Sequence, residues 1–349
     1  MPRALLLGYD LGQPSFRHRM QTLVPALHAA GWEVRCERFP SGRYGVRTWE
    51  RRGLLRWADV SVLHQIKLSA IEARLFATFS RHRVFDFDDA IYVRKPRRLG
   101  EPPDESPWRR RKFEATCRLA DEVAAGNQVL AEAAWTAARA VTILPTSIDA
   151  GAYPLAPSTL GAAAAGGPVT IVWIGSPENL VYLELVRPAL ARLAARDPRV
   201  RLRVICSRFP EWPEIPVERV SWSSEGEAAA LAESQIGIMP LTDDAWARGK
   251  CAFKLLQYMA ARLPCVASPV GANTEAVIDA VTGYHAYDDH DWERRLGELV
   301  ASRELRERMG AAGHAHVERH YSMRSYRERY LNSSPGSRPA RRPCAAETV

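Results

Sequence analysis

The segment Asp243–Glu275, DDAWARGKCAFKLLQYMAARLPCVASPVGANTE, decides the interpretation of the fold because it combines a helical pattern, a strand and a glycine turn. Apolar residues recur at roughly helical intervals from Phe253 to Ala260. The string PCVAS at 264–268 is typical of a short buried strand, and a second helix is expected to begin at Thr274. Two helix N-termini are therefore expected to face one cleft.

The start of this pattern is basic, with Arg248, Lys250 and Lys254 close together. A helix dipole disfavours cations at the helix N-terminus, whereas the backbone N–H groups there bind anions. Gly249 would let the backbone approach a ligand closely. We therefore predict a diphosphate site here; the alternative is a set of solvated charges with no ligand.

The size and composition of the chain favour two domains. It has 349 residues, of which 46% are hydrophobic, enough for two substantial cores. It contains no apolar run of membrane-spanning length, and Asp10 interrupts the N-terminal apolar stretch too early for a signal peptide. Six scattered cysteines show no metal-ligand spacing. We predict a cytoplasmic protein with reduced thiols and no metal site.

Positive charge is concentrated in the first part of the chain. The net charge is +8, and residues 1–112 hold 22 Lys and Arg against 12 Asp and Glu. Such a surface suits nucleic acid, an anionic membrane or a phosphorylated substrate. A general preference for arginine in an Arg-, Ala- and Pro-rich sequence explains it equally well.

Both halves of the chain alternate short apolar strands with helical stretches, which predicts parallel sheets with helical crossovers. The predicted strands are 4–8, 32–38, 60–64, 83–87, 122–126, 141–144, 169–174, 200–205, 220–222, 236–240 and 264–268. A Pro- and Gly-rich segment at 145–168 indicates a linker between the halves. We predict an α/β fold of two facing Rossmann-like, doubly wound domains with a shared cleft.

The domain limits follow from these patterns. We place an N-terminal domain at 1–152 and a C-terminal domain at 153–320. The helical tract Leu305–Leu331 is too long and polar for one core helix, so we expect a break near Tyr321. Residues 321–331 should then pack back on the N-terminal domain, and residues 332–349, rich in Ser, Pro, Gly and Arg, should be disordered.

Three carboxylates, Asp86, Asp88 and Asp89, crowd the end of the predicted strand at 83–87. Mutual repulsion should raise the pKa of at least one, and such a group suits acceptor hydroxyls or a general base. The alternative is that one carboxylate caps a helix and another pairs with Arg17 or Arg19. A metal site is the weaker interpretation because no fourth ligand is evident nearby.

Several separate strings, in order along the chain, resemble a branch of glycosyltransferase family 4, whose members have the GT-B fold. They are SFRHRM (15–20), FDFDDAIY (85–92), GNQVLAE (126–132), WIGSPENLVYLELVRPAL (173–190), IGIMPLTDDAWARGKCAFKLLQYMA (236–260), VASPVGANTEAV (266–277) and MGAAGHAHVERHYS (309–322). The resemblance implies transfer of a sugar from a nucleotide diphosphate sugar to an acceptor hydroxyl. It further implies retention of anomeric configuration and no metal or other cofactor.

The resemblance also implies roles for residues of this chain. The catalytic residues that it implies are Arg248, Lys254 and Asp88. The donor-binding residues are Ser176, Gly249, Lys250, Gln257, Gly271, Ala272, Asn273 and Glu275. The acceptor-binding residues are Gly12, Ser15, Arg17, Asp86 and Asp89, although a solvated first helical turn explains the sequence around Arg17 equally well. His64 is more commonly a structural residue at such a position.

This chain departs from the family at two positions. Two glutamates of the family pattern are replaced here by Gly249 and Gln257, so contacts to ribose hydroxyls would depend on an amide. The predicted partners are a nucleotide-sugar donor and a glycan, glycolipid or small-molecule acceptor. Peripheral membrane contact through Trp49 and Trp57 is a further hypothesis.

Two other functions are alternatives to the transferase. A sugar nucleotide epimerase or hydrolase on the same fold would use Asp88 or His64 as a base. A nucleic-acid-binding protein is disfavoured because basic residues and aromatics do not interleave along one helix.

Overall fold

The computed structural model describes residues 1–42, 45–96, 98–103, 106–154 and 167–332, with side chains as far as residue 328. Within this part of the chain the strands form two six-stranded sheets, and every strand pair is parallel. The first sheet contains β1 Arg3–Gly8, β2 Glu33–Arg38, β3 Val60–His64, β4 His82–Phe87, β5 Glu122–Ala125 and β6 Val141–Ile143. The second contains β7 Val169–Ile174, β8 Val200–Cys206, β9 Val217–Ser221, β10 Ile236–Met239, β11 Cys265–Ala267 and β12 Gly283–His285.

Helices connect the strands and cover both faces of each sheet. In the first unit they are α1 Pro14–Arg19, α2 Val24–Ala29, α3 Val46–Glu50, α4 Arg52–Trp57, α5 Ala70–Phe79, α6 Pro107–Leu119 and α7 Gln128–Trp135. In the second they are α8 Arg187–Arg196, α9 Glu227–Ala232, α10 Ala245–Arg248, α11 Phe253–Ala260, α12 Asn273–Ala276, α13 Asp289–Ala301, α14 Arg303–His320 and α15 Met323–Asn332. Short 3-10 helices occupy Gln21–Leu23, Ala150–Ala152 and Pro177–Leu185.

Burial explains why the central strands could be read from sequence. All six residues of β7, VTIVWI, are buried, as expected for a parallel strand with helices on both faces. The edge strand β9, VERVS, alternates between half-buried and exposed residues instead. Large apolar clusters lie on the two faces of the second sheet, and the main cluster of the first unit packs α4, α5 and α6 against its sheet.

Each sheet has a switch point, where the strand order changes direction. The orders are β2-β1-β3-β4-β5-β6 and β12-β11-β10-β7-β8-β9, so the switch points lie between β1 and β3 and between β7 and β10. Loops at the carboxyl ends of such strands form the ligand-binding crevice of doubly wound folds. The predicted class, two doubly wound α/β units with a C-terminal helix that returns to the first, is confirmed.

Two predicted helices are interrupted, and proline gives the reason in both. The stretch from Arg17 to Ala30 is divided into α1, a 3-10 turn and α2, with Pro25 in the first turn of α2. Pro188 likewise lies in the first turn of α8, after the 3-10 helix that replaces the first half of the predicted helix 180–195. Proline lacks the N–H that would continue the preceding helix.

The basic segment is two helices rather than one. Asp244 caps α10, accepting hydrogen bonds from the N–H groups of Trp246 and Ala247 at 2.9 and 2.8 Å. Ala252 then adopts a left-handed conformation with φ of 54°, so α11 starts anew at residue 253. Arg248 therefore ends α10, while Lys254 lies in the first turn of α11.

The chain crosses between the two units at two adjacent places. Ile148 forms a parallel bridge with Ser322, and its N–H donates to the carbonyl of Tyr321 at 2.9 Å. The first ten residues of the predicted linker are thus ordered, whereas its residues 155–166 lie outside the described part of the chain. The break between α14 and α15 falls at residues 321–322.

The last helix contacts the first unit. Tyr326 is buried in a cluster with Leu23, Leu27 and Leu144, and its hydroxyl donates to the carbonyl of Arg19 at 3.0 Å. The predicted disordered tail from residue 333 onward lies outside the described residues. No helix in the described part of the chain is both long and apolar enough to cross a bilayer.

Candidate functional site

The connector between α10 and α11 lies directly against the first unit. The Asn127 amide group donates to the carbonyls of Lys250 at 3.0 Å and Arg248 at 3.4 Å. A Cβ built on Gly249 would lie 2.5 Å from the Ala90 Cβ, a distance that no real pair adopts. Gly249 therefore permits close approach of the two units to each other, and the ligand contact predicted for it stays a prediction.

Lys254 is the centre of a cationic cluster at this junction. Its ammonium group lies 5.3 Å from the centroid of the Trp173 ring, and the missing Cβ of Gly175 leaves room for its stem. The pKa of Lys254 is lowered to about 7. Burial is the largest cause, and the charges of Lys250 and Lys95 act in the same direction. The surroundings thus favour loss of the proton unless an anion is bound.

Lys95 enters the same cluster from the first unit. Its ammonium group donates to the side-chain oxygen of Asn179, in the 3-10 helix that follows β7, at 2.8 Å. Burial lowers the pKa of Lys95 to about 8, with Lys250 acting in the same direction. Lys95, Lys250 and Lys254 are called the lysine cluster below.

The charges of all three lysines act to lower the pKa of one carboxylate, Asp89. Burial raises its pKa to about 6, and Asp88 adds to the rise, while the lysine charges oppose it. The lysine cluster is therefore rich in positive charge relative to the acidic groups that act on it, Asp89 and the exposed Glu178. An arrangement of this kind is stabilised by a bound polyanion.

Lys95 is not among the residues predicted from sequence, although the sequence contains a signal for it. Of the 48 lysine and arginine residues in the chain, five are lysines, and three of these five form the cluster. A guanidinium stays charged at all ordinary pH values, whereas an ammonium shifts its pKa readily when buried and acts as a compact point charge. The scarcity of lysine in this arginine-rich chain is therefore the signal that could have drawn attention to Lys95.

Arg248 is not part of the cluster. Its guanidinium forms a bidentate pair with Asp243, at 2.6 and 2.9 Å, and its side chain is 54% exposed. The helix break at Ala252 causes this, because it leaves Arg248 on the outer end of α10. Arg248 instead lines a cavity of about 470 Å³ between the loop 98–103 and the second unit.

The predicted donor turn is built around Gly271. Its φ of +54° and the 2.4 Å between a built Cβ and the Arg248 carbonyl oxygen leave room for glycine alone. Asn273 lies inside α12 rather than in the turn; its amide nitrogen donates to the Ser268 carbonyl at 3.0 Å, and its buried oxygen has no partner among the described residues. Ala272 is half-buried, whereas Glu275 is exposed.

The other two predicted donor residues differ in depth. Gln257, one turn after Lys254 on α11, is buried and its amide nitrogen lies 3.2 Å from the Tyr153 hydroxyl. Ser176 is exposed and accepts a hydrogen bond from Asn179 at 3.0 Å, so it contacts the same residue as Lys95.

Asp86 does not fit its predicted contact with an acceptor. Its carboxylate is fully buried and receives Arg19 Nε at 2.9 Å, Arg19 Nη2 at 2.5 Å and His64 Nδ1 at 2.7 Å. Burial acts to raise the pKa of Asp86, but Arg19 and His64 outweigh it and lower the pKa to about 2. The alternative considered from sequence, pairing with Arg19, is the arrangement that the structure shows.

Asp88 and Ser15 are brought together at the carboxyl ends of β4 and β1. Asp88 Oδ1 accepts hydrogen bonds from Ser15 Oγ and from the Gln65 amide nitrogen, both at 2.5 Å. Ser15 Oγ also lies 2.8 Å from His64 Nε2. Gly12 lies apart, in an exposed turn closed by Asp10.

Arg17 reaches from α1 toward the second unit. Its guanidinium carbon lies 5.7 Å from the centroid of the Trp222 ring. Two of its nitrogens, Nε and Nη2, are buried and have no hydrogen-bond partner within the described residues. A buried guanidinium of this kind is a ready donor to an anionic ligand.

The described part of the chain holds no group of three His, Cys, Asp or Glu side chains arranged to bind a metal ion. Cys36, Cys117, Cys206, Cys251 and Cys265 are free thiols, and Cys344 lies outside the described residues. Metal independence itself stays a prediction.

The comparisons with known proteins agree with this architecture. The family model described as Glycosyl transferases group 1 matches residues 168–302. No curated protein sequence matches the chain.

Solved structures match over nearly the whole chain, although identity is low. Sucrose-phosphate synthase of Thermosynechococcus elongatus has 12% identity and a TM-score of 0.69, over 95% of this chain and 98% of that one. Anabaena HepE, in complex with UDP and glucose, has 13% identity and a TM-score of 0.66, over 95% and 99%. The E. coli trehalose-6-phosphate structure, bound with UDP-2-fluoro glucose, has 13% identity and a TM-score of 0.68, over 97% and 100%. The chain therefore has the GT-B fold of these structures, and its residues 168–302 match a Glycosyl transferases group 1 domain.

Proposed function

We propose that this protein is a retaining glycosyltransferase that moves a sugar from a nucleotide diphosphate sugar to an acceptor hydroxyl. The observation that carries the proposal is the lysine cluster, which lies beside the switch point between β7 and β10. The family match over the second unit supports it, as do the UDP and UDP-sugar complexes of the structural neighbours.

The lysine cluster supplies what the leaving group needs. A nucleoside diphosphate gains negative charge as the bond to the sugar breaks, and fixed cations in a partly desolvated site stabilise that charge without reorganisation. The lysine cluster can carry this out without a divalent ion, which is the basis for proposing metal independence. No cofactor is then required besides the donor itself.

The remaining donor contacts are proposed from position. Gln257 shares the face of α11 that carries Lys254, since residues three apart on a helix are neighbours. The side-chain oxygen of Asn273, which has no partner in the part of the chain that the structure describes, would accept from a hydroxyl of the sugar or ribose. Arg248 would join the diphosphate only by leaving its exposed pair with Asp243, which costs about 1 kcal/mol or less.

The acceptor is proposed to lie on the first unit, beside Asp88, Ser15 and Arg17. Its hydroxyl would attack the anomeric carbon on the face from which the diphosphate leaves, giving retention without a protein nucleophile. The cavity between the loop 98–103 and Tyr182 offers further room for part of the acceptor.

Thermal-shift screening with UDP, GDP, dTDP and ADP sugars tests the proposal. One nucleotide should raise the melting temperature in a concentration-dependent way. Candidate acceptors are then tested with that donor, and Lys254→Met should lower kcat by about 100-fold or more. Lys67→Met is a matched control, because Lys67 is half-buried like Lys254 and has a pKa of about 8, lowered by burial, Arg109 and Lys112 rather than by the lysine cluster.

Two outcomes would count against the proposal. The absence of stabilisation by all four nucleotides would refute it, as would an unchanged kcat in Lys254→Met. Sugar release or epimerisation that does not depend on an acceptor would favour the epimerase or hydrolase alternative.

Location inside the cell with peripheral membrane contact is also proposed, on narrower grounds. Trp49 is 53% exposed and Trp108 is 57% exposed in the arginine-rich first unit. Trp57, named from sequence, is half-buried with the Arg35 guanidinium 4.3 Å from its ring centroid, so it does not contribute. Failure to co-sediment with anionic vesicles at low salt would contradict the membrane contact.

A further inference from the structure

A chain of hydrogen bonds runs from the interior of the first unit to the cleft. Asp86 Oδ1 lies 2.7 Å from His64 Nδ1, and His64 Nε2 lies 2.8 Å from Ser15 Oγ. Ser15 Oγ lies 2.5 Å from Asp88 Oδ1. Asp86 and His64 are buried, whereas Ser15 and Asp88 are half-buried, and Asp88 lies next to Cys251 in the connector of the second unit.

The number of available hydrogens shows that the four side chains in this row of hydrogen bonds share one proton. Asp86 is ionised and only accepts, so His64 Nδ1 must carry a hydrogen. The two remaining contacts both involve Ser15, which has a single hydroxyl hydrogen. Both contacts can be made only if one more proton is present, on His64 Nε2 or on Asp88.

The row of hydrogen bonds from Asp86 to Asp88 therefore has two protonation forms. In the form without the extra proton, His64 is neutral and Asp88 is ionised, so one of the two contacts lacks a hydrogen. In the form with the extra proton, each of the two contacts has its own hydrogen. A concerted shift through the Ser15 hydroxyl places it on either His64 or Asp88.

The charged groups around this row of hydrogen bonds are compatible with both of its protonation forms. They are Arg19 against Asp86, and Asp89, His18 and Cys251 near Asp88. Burial lowers the pKa of His18 to about 4, with Arg17 adding to the effect, so His18 is neutral near pH 7. The Gln65 amide donates to Asp88 in either form.

Ser15, His64 and Asp86 have the contacts of a nucleophilic serine triad, but the surroundings favour proton transfer instead. In hydrolases a triad serine faces donors that stabilise an oxyanion. Here the Asp88 carboxylate lies 2.5 Å from Ser15 Oγ and would repel an oxyanion.

We propose that Asp88 takes the proton of the acceptor hydroxyl and that Ser15 and His64 share it with Asp88 as a relay. The inference rests on the proposed transferase function. The acceptor O–H bond breaks as its oxygen bonds the anomeric carbon, and the electron pair of the sugar–phosphate bond leaves with the diphosphate. Asp88 receives the proton, passes it to Ser15 Oγ, and the hydroxyl hydrogen of Ser15 moves to His64 Nε2. Asp88 is then the catalytic residue, and Ser15 and His64 are positioning residues.

The kinetic experiment compares Ser15→Ala with Ser15→Thr. Loss of the hydroxyl removes the sharing, so Ser15→Ala should lower kcat by about 10- to 100-fold and move the acid limb of the kcat–pH profile to lower pH. KM for the donor should change less than threefold. Ser15→Thr should restore both the rate and the limb, because threonine keeps the hydroxyl.

Ser61→Ala is the control, since Ser61 is a buried serine of β3 whose hydroxyl has no partner within the described residues. It should leave the profile unchanged. An unchanged rate and pH profile in Ser15→Ala would overturn the relay.

A second measurement does not depend on turnover. The ring nitrogens of His64, assigned among the nine histidines with a His64→Gln variant, are titrated by long-range proton–nitrogen NMR. His64 Nε2 should lose its proton at lower pH in Asp88→Asn than in the wild-type protein, with Ser15→Ala between them. Identical titrations in all three proteins would refute proton sharing. A coupled titration in a protein that transfers no sugar would refute the proposed function and the catalytic use of the relay.

Discussion

Replacement of Lys254 should change the empty protein and the ligand-bound protein in opposite directions. The pKa of Lys254 is lowered from its ordinary value of 10.5 to about 7, first by burial and then by Lys250 and Lys95. The fold thus disfavours the charged form. Lys254→Met removes that penalty and keeps most of the side-chain volume, so the empty variant should be more stable than the wild-type protein.

The size of the gain follows from linkage. At about 1.4 kcal/mol per pKa unit, a pKa lowered from 10.5 to about 7 sets an upper bound of about 5 kcal/mol on the penalty at pH 7. Lys254 is half-buried, so solvent screening reduces the expected gain to about 1–3 kcal/mol. Urea unfolding of the empty proteins at pH 7 measures it.

The pH dependence has a defined sign. The unfolded chain binds more protons than the empty folded protein between pH 7 and 10.5, so the stability of the wild-type protein should rise over that window relative to Lys254→Met. A bound diphosphate raises the pKa of Lys254, so binding takes up a proton. Donor affinity should therefore be full below about pH 7 and fall by up to about tenfold per pH unit above it.

Calorimetry at pH 6.5, 7.5 and 8.5 with the nucleotide found by screening measures this dependence, and Lys254→Met should show a flatter profile and weaker binding. The reasoning would be refuted by a Lys254→Met variant that is less stable when empty. It would also be refuted by a variant that binds the nucleotide as the wild-type protein does, at every pH.

Three further perturbations test the cleft and its support. Asn127→Asp keeps the helix-capping oxygen but removes the N–H group that binds the connector carbonyls. KM for the nucleotide sugar should therefore rise several-fold in steady-state kinetics, with little change in melting temperature. Equal KM values would contradict the importance of the contact. Gly249→Ala places a Cβ against the first unit, so the radius of gyration from X-ray scattering should increase and kcat should fall, and an unchanged radius would count against this packing. Asp86→Asn leaves Arg19 buried without its carboxylate and should cost about 3–5 kcal/mol in urea unfolding, whereas a loss below 1 kcal/mol would show that the pair contributes little.

The sequence by itself determined the fold class. Apolar runs such as VTIVWI at 169–174 mark strands buried on both faces, and their alternation with helical periodicity specifies parallel sheets. It also singled out Lys250 and Lys254 as a basic pair, because basic residues close to a helix start and followed by a glycine turn are a local pattern; their contact with a diphosphate stays a prediction. These features depend on residues close in sequence, where periodicity and turn preferences act.

Only the tertiary structure decided which charges are available. Lys95 meets Asn179, 84 residues further along the chain, and Asp86 is neutralised by Arg19, 67 residues before it. The helix break at Ala252 turned Arg248 outward to Asp243, and packing between the units assigned Gly249 to Ala90. A buried charge depends on the groups that surround it in space, and the sheet order that brings those groups together is a property of the whole fold.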